Sequence, residues 1–388
     1  MATAEGLHVQ KPVALLYNVS HKAAQAVSRV LQEWVTLDSY SKLALLVKQH
    51  ASSVEQALSG VSLGLAGIVS LADIATSSQR TVLTGTATLL DSLVLCPGIH
   101  RQQYVADLSK SEYPAAANMV TGYVFRIENP ATVYYLQRVG KTGSLTTVAV
   151  TNVHGHSPRS PGIFFSTANA TYVAMVAYSG AVFLAITAVG LFIVLEDWWA
   201  VSSTAVLMFA RLLNVLLIRR RSKFEWSGAR EEDEPGDLLV LLSQDRWIKV
   251  VGKVGDIKAV TSGQWVRDMS AAESWIAAFA TVMVYVNVVL VSNATQVGKI
   301  GLVFLLTVSA GLLAVANQST EKLQMHGHVL SVTAQPKRYK RRLDLATELI
   351  EEYGGKTEWA VGMGLVRHED ILAPGSRGHS SPIQPVIM

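Results

Sequence analysis

Long apolar runs dominate the second half of the chain. Residues 172–195 (YVAMVAYSGAVFLAITAVGLFIVL) hold no charged position, and residues 199–218 hold one, Arg211. Residues 275–291 and 300–316 are shorter and hold none. A helix needs roughly 20 mostly apolar residues, within about 17 to 25, to cross a hydrocarbon core. The pattern therefore predicts four transmembrane helices. Glu196, Asp197 and a few neighbours separate the first two, and residues 292–299 separate the last two, so each pair forms an antiparallel hairpin. Trp198, Trp199 and Trp275 fall at span ends, where indoles favour the headgroup layer.

The N-terminal part is patterned differently. Residues 21–50 read as a helix with Val27, Val30, Leu31, Trp34 and Leu37 on one broad apolar face. Two weaker apolar stretches follow, 57–72 and 82–96, joined by a turn containing Arg80 and interrupted in the second by Asp91. Gly60 and Gly64 give the spacing of closely approaching helices. These stretches form either a membrane hairpin or a buried helical hairpin of a soluble domain. Their short length and Ser, Thr and Gly content favour the soluble form, and either form returns the chain to the side it left. Residues 119–153 read as an antiparallel meander of GYVFRI, TVYYLQRV and LTTVAVTNV, punctuated by Asn129-Pro130 and Lys141-Thr142-Gly143. SPRSPG at 157–162 is a linker. In the segment 219–273, basic and acidic runs precede two strands, 237–243 and 246–251, around Gln244 and Asp245, with 257–260 a third. Trp265, Val266 and Met269 lead along the interface into the third span. Residues 343–353 read as an amphipathic helix, and the chain from 374 onward as disordered.

Composition supports this division. Of 388 residues, 50% are hydrophobic and only 16% charged, against about 25% charged in soluble domains. The net charge of +4 is not a nucleic-acid signature, because the basic residues sort by segment. Ten Lys or Arg lie in 219–273, nine follow 316, and the two hairpin turns hold only Lys299. That asymmetry places the central segment, the tail and the N-terminus in the cytosol. Residues 1–10 lack the basic region and apolar core of a signal peptide, and the final Pro385-Val386-Ile387-Met388 is no retention signal. The single Cys96 excludes a disulfide framework and a Cys-based zinc site. The fold class expected is an α-helical integral membrane protein of four spans in two hairpins, with a cytosolic α+β N-terminal region (1–165) and a small β-rich cytosolic insert. The hairpins occupy 172–218 and 274–316, and the tail 317–388.

Two close hairpins around an insert reading ARLLNVLLIRRRSKFEW and then GDLLVLLSQDRWIKVVGKVGDIKAVTSGQW resemble multi-pass membrane proteins of filamentous fungi. The likeness covers about 172–316. It implies no activity and no functional residues, and it implies a setting beside secondary-metabolite pathways only by the company that similar proteins keep.

Candidate chemistry is sparse. Arg211 and Asn214 are the candidates for a polar site within the membrane. The position of Arg211, about seven residues from the cytosolic end of its span, favours a side chain that snorkels to the interface, and Asn214 reads as an interhelical hydrogen bonder. Glu196 and Asp197, adjacent in a turn, are expected to point apart. His154-Gly155-His156 and His326-Gly327-His328 repeat one tripeptide whose imidazoles would suit a metal if they met, but no cysteine or carboxylate spacing supports one. Aspartate-rich magnesium motifs, phosphate loops, nucleophile elbows and HExxH helices are absent. Of the sequons at Asn18, Asn169, Asn293 and Asn317, only Asn293 faces away from the cytosol, as a possible glycosylation position. No cofactor or metal is expected, no nucleic acid, and as partners the lipid bilayer and proteins engaged through the cytosolic loops. Because the spans hold so few ionisable groups, the expectation is a non-catalytic scaffold or accessory protein. The alternatives are an oligomeric transporter, in which Arg211 would be essential, and a biosynthetic enzyme with its site on the cytosolic face.

Overall fold

The computed structural model describes residues 37–57, 66–104, 106–152, 171–222 and 234–367. Four helices are long and apolar enough to span a membrane: α4 (Tyr172–Val194), α5 (Trp198–Arg221), α7 (Ala271–Ser292) and α8 (Gln296–Gln318). The remaining helices are α1 (Leu37–Ala57), α2 (Thr76–Thr84), α3 (Pro130–Val139), α6 (Val254–Thr261), α9 (Arg342–Glu352) and α10 (Glu358–Gly362). Three of the four long apolar helices begin at a side-chain cap. Ser270 and Glu273 form a reciprocal capping box on α7, Thr295 caps α8, and Asp197 caps α5. Partnership crosses the hairpins: α4 packs along α8 and α5 along α7.

The strands are β1 (Ala115–Asn118), β2 (Val124–Arg126), β3 (Ser144–Asn152), β4 (Pro235–Leu242), β5 (Arg246–Lys253), β6 (Leu323–Met325), β7 (His328–Val332) and β8 (Lys337–Arg338). They form one mixed sheet in the order β2-β1-β4-β5-β3-β7-β6, with β8 also on β3. Only β3 and β5 run parallel, with Val148 opposite Val250; every other pair is antiparallel. Its strands come from before the first span, from between the hairpins and from after the fourth. One face packs on α3, α6 and Trp265, the other on α9 and α10. Burial on both faces explains why β4 reads as a continuous apolar LLVLL.

Several expectations are corrected here. The 119–153 meander does not form, because TVYYLQRV is α3: the Asn129 side chain accepts from the Ala131 and Thr132 N–H groups and Pro130 opens the helix. Residues 257–260 are not a strand but part of α6, whose Ile257 and Val260 are buried together at helical spacing. Trp265 does not lie at an interface; it is 1% exposed and donates from Nε1 to the Gly85 carbonyl at 2.7 Å. Gly85 itself needs glycine, with φ of +73° and no room for a Cβ beside the Gln324 carbonyl, where α2 covers the β6 edge. The insert is no separate cap, since β4 and β5 sit in the middle of the shared sheet. Residues 21–36, Gly60, Gly64, the linker at 157–162 and the chain from 374 lie outside the described residues, while 343–353 is α9 within one residue.

The largest correction concerns the stretch expected at 57–96, whose described residues 66–96 form neither kind of hairpin. α1 sits at the end of the bundle that carries the hairpin turns, opposite the sheet. Lys48 pairs with Glu196 at 2.7 Å, and the Glu55 carboxylate accepts from the Gln296 and Val297 N–H groups at the start of α8. From there the chain passes once through the bundle. Ala66 packs with Phe192, Val291 and Leu302 at the turn end, and the Thr76 carbonyl accepts from Asn317 at the sheet end. It then dips back as a re-entrant loop. Leu95 and Ile99 reach the middle of the bundle among Ala185, Leu207, Val284 and Leu305, and Gln103 returns to the sheet end beside Arg221. The segment 66–104 is an irregular core of short 3-10 turns and α2. Its side of departure differs from its side of return, so α1 and the sheet lie at opposite ends.

Candidate functional site within the helix bundle

Backbone without regular hydrogen bonds is tolerated at membrane depth only where protein or water surrounds it. Here the four helices supply the protein. The inner segment brings charge with it, and the charges meet in the half of the bundle nearer the sheet. Asp91, on a 3-10 turn after Thr88, is 7% exposed. Its carboxylate accepts from the Thr88 N–H at 2.6 Å, the Thr88 hydroxyl at 3.0 Å and the Tyr178 hydroxyl at 2.9 Å. Arg80 reaches in from α2, donates to the Thr320 hydroxyl at 3.2 Å and stands over the Tyr178 ring, 5.3 Å from its centroid.

Arg211 completes the group. It is 1% exposed, so the expected snorkelling does not occur. Its Nε donates to the Asp91 carbonyl at 3.1 Å and its Nη1 to the Ser77 hydroxyl. The inner segment offers these acceptors at the depth of the guanidinium, so the side chain has no need to reach the interface. Asn214, one turn on, is equally buried. Its Oδ1 accepts from Gln103 at 3.0 Å, and its Nδ2 donates to the Ile99 and Ala210 carbonyls. Both candidates thus touch the inner segment rather than another span. The cluster holds two guanidinium groups and one carboxylate in a setting of low dielectric. Arg80, Asp91 and Tyr178 were not singled out from the sequence. The available signal was Asp91 itself, a carboxylate interrupting an otherwise apolar stretch.

The other candidates disperse. Asp197 is 3% exposed and accepts from Ala200 N–H and from the Thr295 N–H and hydroxyl, which ties the two hairpin turns together. Glu196 is exposed and faces Lys48, so these carboxylates do point apart. Asn293 is exposed at the end of α7, its side chain donating to the Val289 carbonyl at 3.1 Å. Asn317 is buried, and Asn18 and Asn169 lie outside the described residues.

His154 and His156 also lie outside the described residues. His326 and Gly327, with φ of 50° and 80°, form the two-residue turn between β6 and β7. Turn geometry therefore accounts for the second HGH tripeptide. His328 faces Asp256 of α6 at 3.0 Å. Among the described residues no group of three or more His, Cys, Asp or Glu is placed to hold a metal.

Burial lowers the His326 imidazole from its ordinary value of 6.5 to about 4. In the unfolded chain this group takes up its proton first as pH falls. Stability is therefore complete above pH 6.5 and declines between 6.5 and about 4, by at most about 1.4 kcal/mol per pH unit from this residue. Thermal unfolding in detergent across that window is expected to show a shallower loss for His326→Gln than for the parent chain.

A second feature lies on the sheet domain. A half-open groove of about 480 Å³ runs between α6 and the β2 side of the sheet, floored by Leu238, Val254 and Ile257 and walled by Phe125 and Tyr123. The two rings stack at 6.0 Å, and Tyr123 is 69% exposed. Arg126, Glu128 and Glu234 stand at its rim.

Comparison with family models, with curated proteins and with solved structures finds no match for this chain.

Proposed function

We propose that the protein moves a small polar solute or ion across the membrane it spans, along the seam between the four helices and the inner segment. The observation that carries this reading is the buried cluster in which Asp91 of the re-entrant loop meets Arg80 of α2, Tyr178 of α4 and Arg211 of α5. Ionisable groups buried among spans are costly, and they mark pathways more often than anchors. The expectation of a scaffold rested on their scarcity in the spans. The inner segment supplies them from outside the spans, and it also supplies an inner wall, so the pathway does not depend on oligomerisation. In this reading the sheet end, rich in Lys and Arg, is cytosolic, and α1 faces the opposite compartment.

The test is release of trapped solutes from proteoliposomes, with potassium, chloride, glycerol and a neutral amino acid as probes. Faster release of at least one than from protein-free vesicles is the expected result. Release of none overturns the reading and favours the second, a membrane-anchored scaffold or accessory protein. The sheet groove favours that alternative, and a copurifying protein partner lost on Tyr123→Ala would support it.

A further inference from the structure

The inner face of the bundle carries polar atoms that nothing among the described residues satisfies, and they recur at successive depths. Near the turn end are Ser203 Oγ on α5 and both amide atoms of Asn287 on α7. Ser203 lies five residues into α5 and Asn287 five residues before the end of α7, so they share one level of a packed helix pair. Midway along α8 is Ser309 Oγ, and toward the sheet end are Gln102 Oε1 and Asn317 Oδ1. Ser203, Asn287, Ser309 and Gln102 are fully buried, and Asn317 is 3% exposed. Each lacks a hydrogen-bond partner among the described residues.

A buried polar atom left without a partner costs about 1–3 kcal/mol, and neighbouring hydroxyls on α5 and α7 are satisfied by their own helix. Thr204, for instance, bonds the Ala200 carbonyl and Thr281 the Ala277 carbonyl. Unsatisfied hydroxyl and amide groups at the turn end, the middle and the sheet end are what a file of small hydrogen-bonding molecules requires, since each donor or acceptor is then met in passing. The groups in this file are uncharged. At the sheet end, the Asp91 carboxylate already accepts three hydrogen bonds, and two guanidinium groups against one carboxylate leave the local charge positive. A fixed positive charge beside a narrow route raises the barrier to cations.

We infer that the transported species is neutral and about the size of water or glycerol, that its route passes Ser203, Asn287 and Ser309, and that Arg80 and Arg211 exclude cations. The inference rests on the transport reading and narrows it to a substrate class.

The experiment is stopped-flow light scattering of proteoliposomes made from phosphatidylcholine with phosphatidylserine, using a sucrose gradient for water and a glycerol gradient for glycerol. The parent protein should raise the permeability to at least one of the two severalfold over protein-free vesicles, with no rise in potassium flux. Asn287→Leu should bring it back to the protein-free level while the thermal midpoint holds or rises, because the variant removes an unsatisfied amide. If Asn287→Leu does not fold, Ser309→Val provides the same comparison. Equal permeability of parent and variant overturns the route. A parent that carries chloride or potassium but neither water nor glycerol overturns the substrate class and leaves transport standing. A parent that carries nothing removes both.

Discussion

Asp91→Leu is expected to lower stability by about 3–5 kcal/mol, because it leaves the buried Arg80 without the carboxylate that attracts it. Three hydrogen bonds go with the side chain, those from Thr88 N–H, Thr88 Oγ1 and Tyr178. Tyr178 would then be a hydroxyl among Ala174, Ala177, Ala181 and Ala310 with only the Thr88 hydroxyl, at 3.4 Å, left near it. Loss should show as a drop in the thermal midpoint of the protein in detergent, and as loss of transport in vesicles. Asp91→Asn separates the two effects. It keeps the shape and most acceptor capacity, so its stability should fall less, while the charge balance of the cluster changes fully. A midpoint for Asp91→Leu within error of the parent would mean that the cluster is not formed in the membrane.

Gly98→Ala is the second large effect. Gly98 has φ of +84° at the point where the re-entrant loop turns, and a Cβ there would sit 2.4 Å from the Ile74 carbonyl oxygen. Left-handed backbone costs a residue with a side chain about 1–2 kcal/mol, and forcing an extra carbon into packed surroundings costs about 1–3 kcal/mol more. The contact is with backbone, so no rotamer change relieves it. The loop that carries Leu95 and Ile99 to mid-bundle should be displaced, exposing the 86–104 region to added protease from the sheet side. Gly311→Ala is the control: nothing lies within 4 Å of its Cβ position, and the change should be neutral.

The spans were legible because their signal is local: about 20 apolar residues in a row admit few other readings. The inner segment was not, because each of its signals is weak alone and is resolved only by partners far along the chain. Val82, Val94 and Leu95 are as apolar as the residues of a short membrane hairpin, and nothing near them in sequence says that four later helices will surround them. Arg211 departs from the snorkelling expectation for the same reason: its acceptors, at Ser77 and Asp91, lie more than a hundred residues away. In two places a local signal existed and β-branched composition outweighed it. Asn129-Pro130 is a helix start, and Ile257 with Val260 has helical rather than strand spacing. The β4–β5 hairpin turns where the sequence predicts, at Gln244 and Asp245, both with positive φ, but its neighbours β1 and β3 belong to another part of the chain.

The sheet drawn from three separated segments has a consequence for biosynthesis. When the ribosome has completed β3, none of its three partners exists: β5 follows the first hairpin, and β7 and β8 follow the second. The inner segment is likewise made before any of the helices that enclose it, and α8, which closes its far side, is made last of the four. Residues 66–152 must therefore wait, with apolar surface uncovered, until both hairpins have inserted. Closing such long loops is slow relative to local structure, so nascent chains stopped before residue 323 should be prime clients for chaperones. Completion of the sheet then acts as a checkpoint, reached only when every span has the correct orientation.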